Sequence, residues 1–219
     1  MASLCLGGHE FLALAQGALF WPARGALIVA DLHLEKASWY ASAGQMLPPY
    51  DSLATLDALE RLVDAQDARE VWVLGDSFHD AEGPARLPAD ARARLCGLIA
   101  RLDWTWITGN HDAASAGALG GAVVEEAAVA GIILRHRAHP DDGRPELSGH
   151  YHPKWRVRGR SRTVSRRCFV QGQTRVILPA FGALAGGLNA CDPAIRALAG
   201  PFAAALVPVR GGLLRFPIP

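Results

Sequence analysis

The chain has 219 residues, is 50% hydrophobic and carries a formal net charge of +1 at neutral pH. That content suffices for a full core in one domain spanning 1–219, and the near-zero charge excludes any global attraction to nucleic acid or membrane, so electrostatic arguments have to be local. Cys5, Cys96, Cys168 and Cys191 are scattered without CxxC spacing, and neither a leader pattern nor an apolar run of about 18 residues occurs, which reads as a reduced, cytoplasmic protein with no membrane partner.

In chain order, residues 11–21 predict a hairpin folded about Gln16-Gly17, and the apolar run 26–30 (ALIVA) predicts a strand buried on both faces. Asp31 follows at once, and reads either as a site residue or as the cap of a helix over 32–41. Leu53, Leu56, Leu59, Leu62 and Val63 recur at helical spacing within 51–65, with Asp51 or Ser52 as the cap. The run 71–74 (VWVL) is a second buried strand, and it ends in Gly75-Asp76. A helix over 88–102 with proline in its first turn leads to a strand over 104–108, which ends in Gly109-Asn110-His111-Asp112. Later come β-like runs within 122–135 and at 146–148, 168–171, 175–178, 203–209 and 213–216, with one short helix at 193–199. Alternating strands and helices followed by mostly strands predict an α/β protein, an αββα sandwich of two mixed β-sheets flanked by helices.

The informative feature is where polar residues fall. Asp31 with His33, Asp76, and Asn110 with His111 each stand just past an apolar strand, where open α/β sheets carry their ligand sites. His136 does the same after GIILR, and His150 with His152 follow ELS. Taken singly, each reads as a turn, a cap or a satisfied core histidine. Five such strand ends delivering carboxylate, amide and imidazole to one rim point instead to a metal site.

In order, these blocks are DLH at 31–33, GD at 75–76, GNHD at 109–112, His136 and GHYH at 149–152. The set resembles the signature of the calcineurin-like metallophosphoesterase superfamily. DLHLEK, GDSFH, GHYHP and LPAFGALAGGLN (178–189) are similar to the ligase-associated DNA-damage-response phosphoesterases of PdeM type, and GDSFH also resembles the GDLFH block of the double-strand-break repair nucleases. The resemblance implies that Asp31, His33, Asp76 and His152 hold one divalent metal ion and that Asp76, Asn110, His136 and His150 hold a second, with Asp76 bridging. Such a pair clamps a phosphate and activates a water for in-line attack. Donors of this kind suit manganese, and iron or zinc as well. By the same resemblance His111 polarises the phosphate or protonates the leaving oxygen, with Asp112 beside it to orient the ring. His139 stands close to His136, and His136 is preferred because it directly ends the apolar run. His79 and Asp80 are further candidates near the metals, and His9 belongs to no motif.

Substrate choice has to come from elsewhere. In KWRVRGRSRT, Lys154, Arg156, Arg158, Arg160 and Arg162 occupy even positions, and no acid occurs between 154 and 175. On one continuous strand these cations share a face, at the parity of His150 and His152, with Pro153 as the point where the register can shift. Such a row would contact successive phosphates, and the alternative is a solvated edge strand. Tyr151 is placed either to stack on a base or to pack. The expected function is therefore a dinuclear-metal phosphodiesterase acting as a DNA endonuclease in repair, with a DNA ligase system as partner by family inference alone. The alternatives are a phosphodiesterase or phosphatase of cyclic or linear nucleotides, and a catalytically silent scaffold of the same fold.

Overall fold

Short apolar runs separated by polar turns build most of the chain into strands. The computed structural model describes residues 3–111 and 115–219. The first half gives β1 (Ser3–Leu6), β2 (His9–Ala13), β3 (Leu19–Trp21), β4 (Ala26–Val29), α1 (Lys36–Ser42), α2 (Asp51–Gln66), β5 (Glu70–Leu74), a short α3 (Gly83–Arg86), α4 (Ala89–Arg101), β6 (Asp103–Ile107) and β7 (Ala122–Val124). These seven strands form one sheet in sequence order. The β1 to β4 pairs are antiparallel hairpin neighbours, whereas β4, β5, β6 and β7 run parallel. Parallel neighbours need crossovers, and the helices α1, α2 and α4 supply those between β4, β5 and β6.

The second half gives β8 (Glu126–Val129), β9 (Ile132–Arg135), β10 (Glu146–Ser148), β11 (Lys154–Arg158), β12 (Thr163–Arg167), β13 (Phe169–Gln171), β14 (Arg175–Ile177), α5 (Pro193–Ala199), β15 (Ala204–Val209) and β16 (Gly212–Pro217). A second seven-stranded sheet has the order β16-β15-β13-β14-β10-β9-β8, and β11 with β12 forms a separate two-stranded ribbon.

Period-two alternation sorts the side chains into layers. Leu27, Val29, Val71, Val73 and Trp106 point to the helix side, where Leu56, Leu59, Leu95 and Leu98 of α2 and α4 meet them. Ile28, Leu74 and Ile107 point the other way and pack on Ile132, Leu134, Leu147, Phe169 and Val176 of the second sheet. The far face of that sheet, with Val170, Ile177 and Ala205, is covered by Ile195 and Ala199 of α5. The result is the expected αββα sandwich, in which each fully buried leucine or isoleucine contributes about 1.5 to 3 kcal/mol. No helix among the described residues is long and apolar enough to cross a membrane.

Several local expectations are corrected. Asp31 caps no helix: Asp31, His33 and Glu35 all have positive φ, which no right-handed helix accommodates, and α1 starts only at Lys36. Asp51 and Ser52 do not cap α2, whose N-cap is Tyr50 without a side-chain bond. They serve α1 instead. Asp51 Oδ2 accepts from the Ala37 amide at 3.1 Å, and Ser52 Oγ accepts from the Glu35 amide at 2.9 Å while donating to Glu35 Oε1 at 2.7 Å. Pro88 is the N-cap of α4 rather than a member of its first turn.

Candidate metal centre

Parallel β4, β5 and β6 end side by side, so Asp31, Asp76 and Asn110 emerge at one edge of the first sheet. Parallel β9 and β10 end beside them and deliver His136 and His150 from the second. The backbone there is strained. Asp31 (φ 54°), His33 (44°), Asp76 (45°), His150 (71°) and His152 (48°) all occupy the left-handed region. That region costs an L-residue roughly 1 to 2 kcal/mol, and such strain persists where surrounding packing fixes it, typically at functional sites. The motif glycines make the space. A Cβ on Gly75 would lie 2.2 Å from His136 Nδ1, and one on Gly149 would lie 2.6 Å from Asp31 Oδ2, so each glycine lets a side chain of the opposite sheet approach.

Two groups result, Asp31 with His33 and His152, and Asp76 with His136 and His150, each offering donor atoms within 4.8 Å of one another. In the first, His152 Nε2 lies 3.3 Å from His33 Nε2 and 3.3 Å from Asp31 Oδ1. In the second, His136 Nε2 lies 3.0 Å from His150 Nδ1, 2.9 Å from Asn110 Oδ1 and 3.5 Å from Asp76 Oδ1. Asp76 faces both groups, because its other oxygen, Oδ2, is 3.9 Å from His33 Nε2. Backbone amides hold both acids in place: Asn110 and His111 donate to Asp76 Oδ1, and His150 donates to Asp31.

Protonation favours coordination. His136 Nδ1 lies 3.0 Å from the Leu74 carbonyl, and donation there leaves Nε2 with a bare lone pair turned toward Asn110 Oδ1 and Asp76 Oδ1. Burial, and then the His152 ring, hold His33 down to about 2. Burial and the neighbouring His136 also lower His150. Neutral imidazoles are the form that binds metal. Donors bound at about 2.1 Å to a common ion lie about 3 to 3.4 Å apart, and the separations here run from 2.9 to 3.5 Å. These polar atoms crowd one another at hydrogen-bond distance, and a divalent cation at each focus would take up their lone pairs by coordination. The residues present therefore fit two metal ions.

The structure brings Asp31, His33, Asp76, Asn110, His136, His150 and His152 together, and leaves His139 exposed outside both groups. His111 stands beside them, its exposed ring 3.8 Å from Asp76 Oδ2. Asp112 lies outside the described residues. Asp80 is engaged elsewhere, paired with Arg86 at 2.8 Å. His79 does reach the site: its ring stacks on His111 at 5.6 Å and meets His33 edge-on at 5.6 Å. His9 is remote and bonds to the Ala130 carbonyl.

The structure adds residues that the motifs did not single out. Trp39 and Tyr40 on α1 pack against His79 at 4.9 and 6.0 Å, extending the imidazoles into an aromatic wall. Lys36, on the first turn of α1, acts electrostatically on His33, His79 and Lys154. Lys36 and Lys154 are the only lysines of the chain. The available signal was DLHLEK running directly into an aromatic pair.

Two expectations fail. Tyr151 is buried, with its ring edge-on to His150 at 4.9 Å and its hydroxyl accepting from Arg137 Nε at 3.2 Å, so it is packed rather than open to a base. The five cations do not share one strand. Positive φ at His150 and His152 breaks the parity, and the chain turns at 159–162, where the Gly159 amide bonds to the Arg162 carbonyl. Lys154, Arg156 and Arg158 lie on β11, while Arg160 and Arg162 belong to the turn. Lys154 Nζ donates to the Ala185 carbonyl and Arg156 to that of Gly187, while Arg156, Arg158, Arg160 and Arg162 are exposed.

No protein-family model matches the sequence. No curated protein matches it either. Among solved structures the chain is similar to the nuclease MPE of Pseudomonas putida, with 33% identity, a TM-score of 0.72, and 93% of this chain and 94% of that one covered. With a third of its residues identical over nearly the full length of both chains, the protein belongs to the family of the Pseudomonas putida nuclease MPE.

Proposed function

We propose that residues 1–219 form one metallophosphoesterase domain, a dinuclear metal-dependent phosphodiesterase that cuts DNA internally and acts in cytoplasmic DNA repair. The observation that carries this reading is the adjoining pair of donor groups spanned by the Asp76 carboxylate. The relative's name, a nuclease, supports the choice of a polynucleotide over a smaller ester. Two divalent cations, manganese first, would supply Lewis acidity toward the scissile phosphate and an activated water.

The chain's own residues do the rest. Asp31 and Asp76, fixed by backbone amides, hold negative charge at the focus of each group. His111, exposed and outside both groups, is free to pass a proton to the leaving oxygen. Arg158, Arg160 and Arg162 at the end of the ribbon offer sequence-independent phosphate contacts.

Circular DNA has no ends, so the deciding assay is manganese-dependent cutting of single-stranded and duplex circles beside cyclic and linear nucleotides and an aryl phosphodiester. Wild type is expected to linearise or nick circles, with the activity abolished by chelator and by Asp76→Ala. Hydrolysis of nucleotides alone would establish the small-substrate alternative. No turnover of any ester with metal content verified would establish a scaffold.

A further inference from the structure

A groove of about 550 Å³ opens beside Asn110, His136 and His150 and continues away from the cluster along Arg137, His139 and Glu125. Two arginines close to it have different surroundings. Arg135 is buried and saturated with acids, at 2.7 Å from Asp142, 3.5 Å from Glu126 and 3.4 Å from Glu146. Arg137 is exposed, and among the described residues no carboxylate pairs with it. Its one side-chain hydrogen bond among the described residues uses Nε, which donates to the Tyr151 hydroxyl at 3.2 Å. A guanidinium has five N–H donors, so four are left for a ligand in the groove.

The phenol that holds Arg137 is itself fixed. Tyr151 is buried in the layer beneath α5 and lies edge-on against His150, so the orientation of Arg137 is tied to the backbone that presents a candidate metal ligand. A planar, permanently charged fork with no acid partner among the described residues, pre-oriented beside a phosphate-cleaving centre, is matched to a second phosphate. Of the two acids on the groove, Glu126 is already opposite Arg135, and Glu125 forms no ion pair with Arg137.

We propose that Arg137 is a substrate-binding residue for the backbone phosphate next to the scissile one, on the Asn110–His150 side of the cluster, with Tyr151 as its positioning residue. The proposal rests on the polynucleotide reading above, and names the part of that substrate which this groove takes.

The test uses the metal-loaded protein and short oligodeoxynucleotides carrying one neutral methylphosphonate at successive linkages, with bis(p-nitrophenyl) phosphate as a substrate that has no neighbouring phosphate. For wild type, neutralising the linkage on one side of the cleaved bond is expected to lower kcat/KM about tenfold, mostly through KM. Arg137→Ala should lose about as much on unmodified DNA and nothing further on the modified strand, while its loss on the aryl diester stays within about twofold. Tyr151→Phe, which keeps the ring and removes the acceptor, should raise KM on DNA by a smaller factor with kcat retained. Losses that multiply, or an equal loss on the aryl diester, would overturn the subsite while leaving the nuclease reading intact. Cleavage of the aryl diester with no cleavage of any oligonucleotide would remove both.

Discussion

His111 shows how finely neighbouring residues divide their work. Its amide helps hold Asp76 at 3.1 Å, while its ring stays outside both donor groups, exposed and stacked on His79. A residue whose amide holds a candidate ligand while its imidazole stands outside both groups is expected to matter for turnover and not for metal. His111→Ala should therefore keep its metal content, measured by elemental analysis of the purified protein, and lose about 10² to 10⁴-fold in kcat. Metal loss in that variant would instead place His111 among the ligands. At this scale the sequence was legible wherever a residue stands within two positions of a strand end, as Asp31, Asp76 and His136 do. The split of His150 from His152 came from the resemblance, because strand parity alone is opaque where backbone sign decides. Residues i and i+2 of a strand share a face, but the left-handed φ at His150 and His152 sends the first ring to His136 and the second to His33. Tyr151 between them turns into the core beneath α5, a layer whose position no local pattern reveals.

Among the elements, α1 is the one whose stability reaches the site. It has only seven residues, too few to persist alone, and it begins after the left-handed Glu35 with no cap of its own. Caps come from α2: Asp51 takes the Ala37 amide, and Ser52 exchanges two bonds with Glu35. That explains why two residues with capping chemistry at the start of α2 were misassigned to it, since sequence neighbourhood carries no information about a helix 14 or more residues away. Ser52→Ala leaves the buried Glu35 amide and carboxylate without this partner, and should destabilise the protein by about 1 to 2 kcal/mol in denaturant unfolding. Because α1 carries Lys36, Trp39 and Tyr40, the same variant should also weaken substrate binding through KM. A midpoint equal to that of wild type would show that the cap is dispensable. The ribbon of β11 and β12 teaches the complementary lesson. Its alternating cations look like one long strand, but Gly159 to Arg162 reverse the chain, and Lys154 and Arg156 each donate to a carbonyl of the 185–187 segment.

For the molecule as a whole, the order of the apolar runs made the two-sheet sandwich readable, because wholly buried runs demand cover on both faces and the strand-rich second half supplies a second sheet beside the helices. What the order could not reveal is how the sheets are joined at the site. Asp31, His33, Asp76 and Asn110 come from the first sheet, His136, His150 and His152 from the second, and each candidate donor group mixes the two. A bound cation therefore cross-links the sheets in the folded state only, and the unfolded chain has no equivalent site. At about 100 times its Kd, a ligand that binds only the folded state adds about 2.7 kcal/mol. For a chain of this size that corresponds to a rise in melting temperature of roughly 5 to 10 °C. Manganese should produce such a rise in scanning calorimetry, and chelator should reverse it. Asp76→Ala, which removes the carboxylate common to both groups, should flatten the response, whereas His139→Ala, which touches neither, should shift as wild type does. An equal shift in the Asp76 variant would mean that the cation stabilises the fold from somewhere other than this junction.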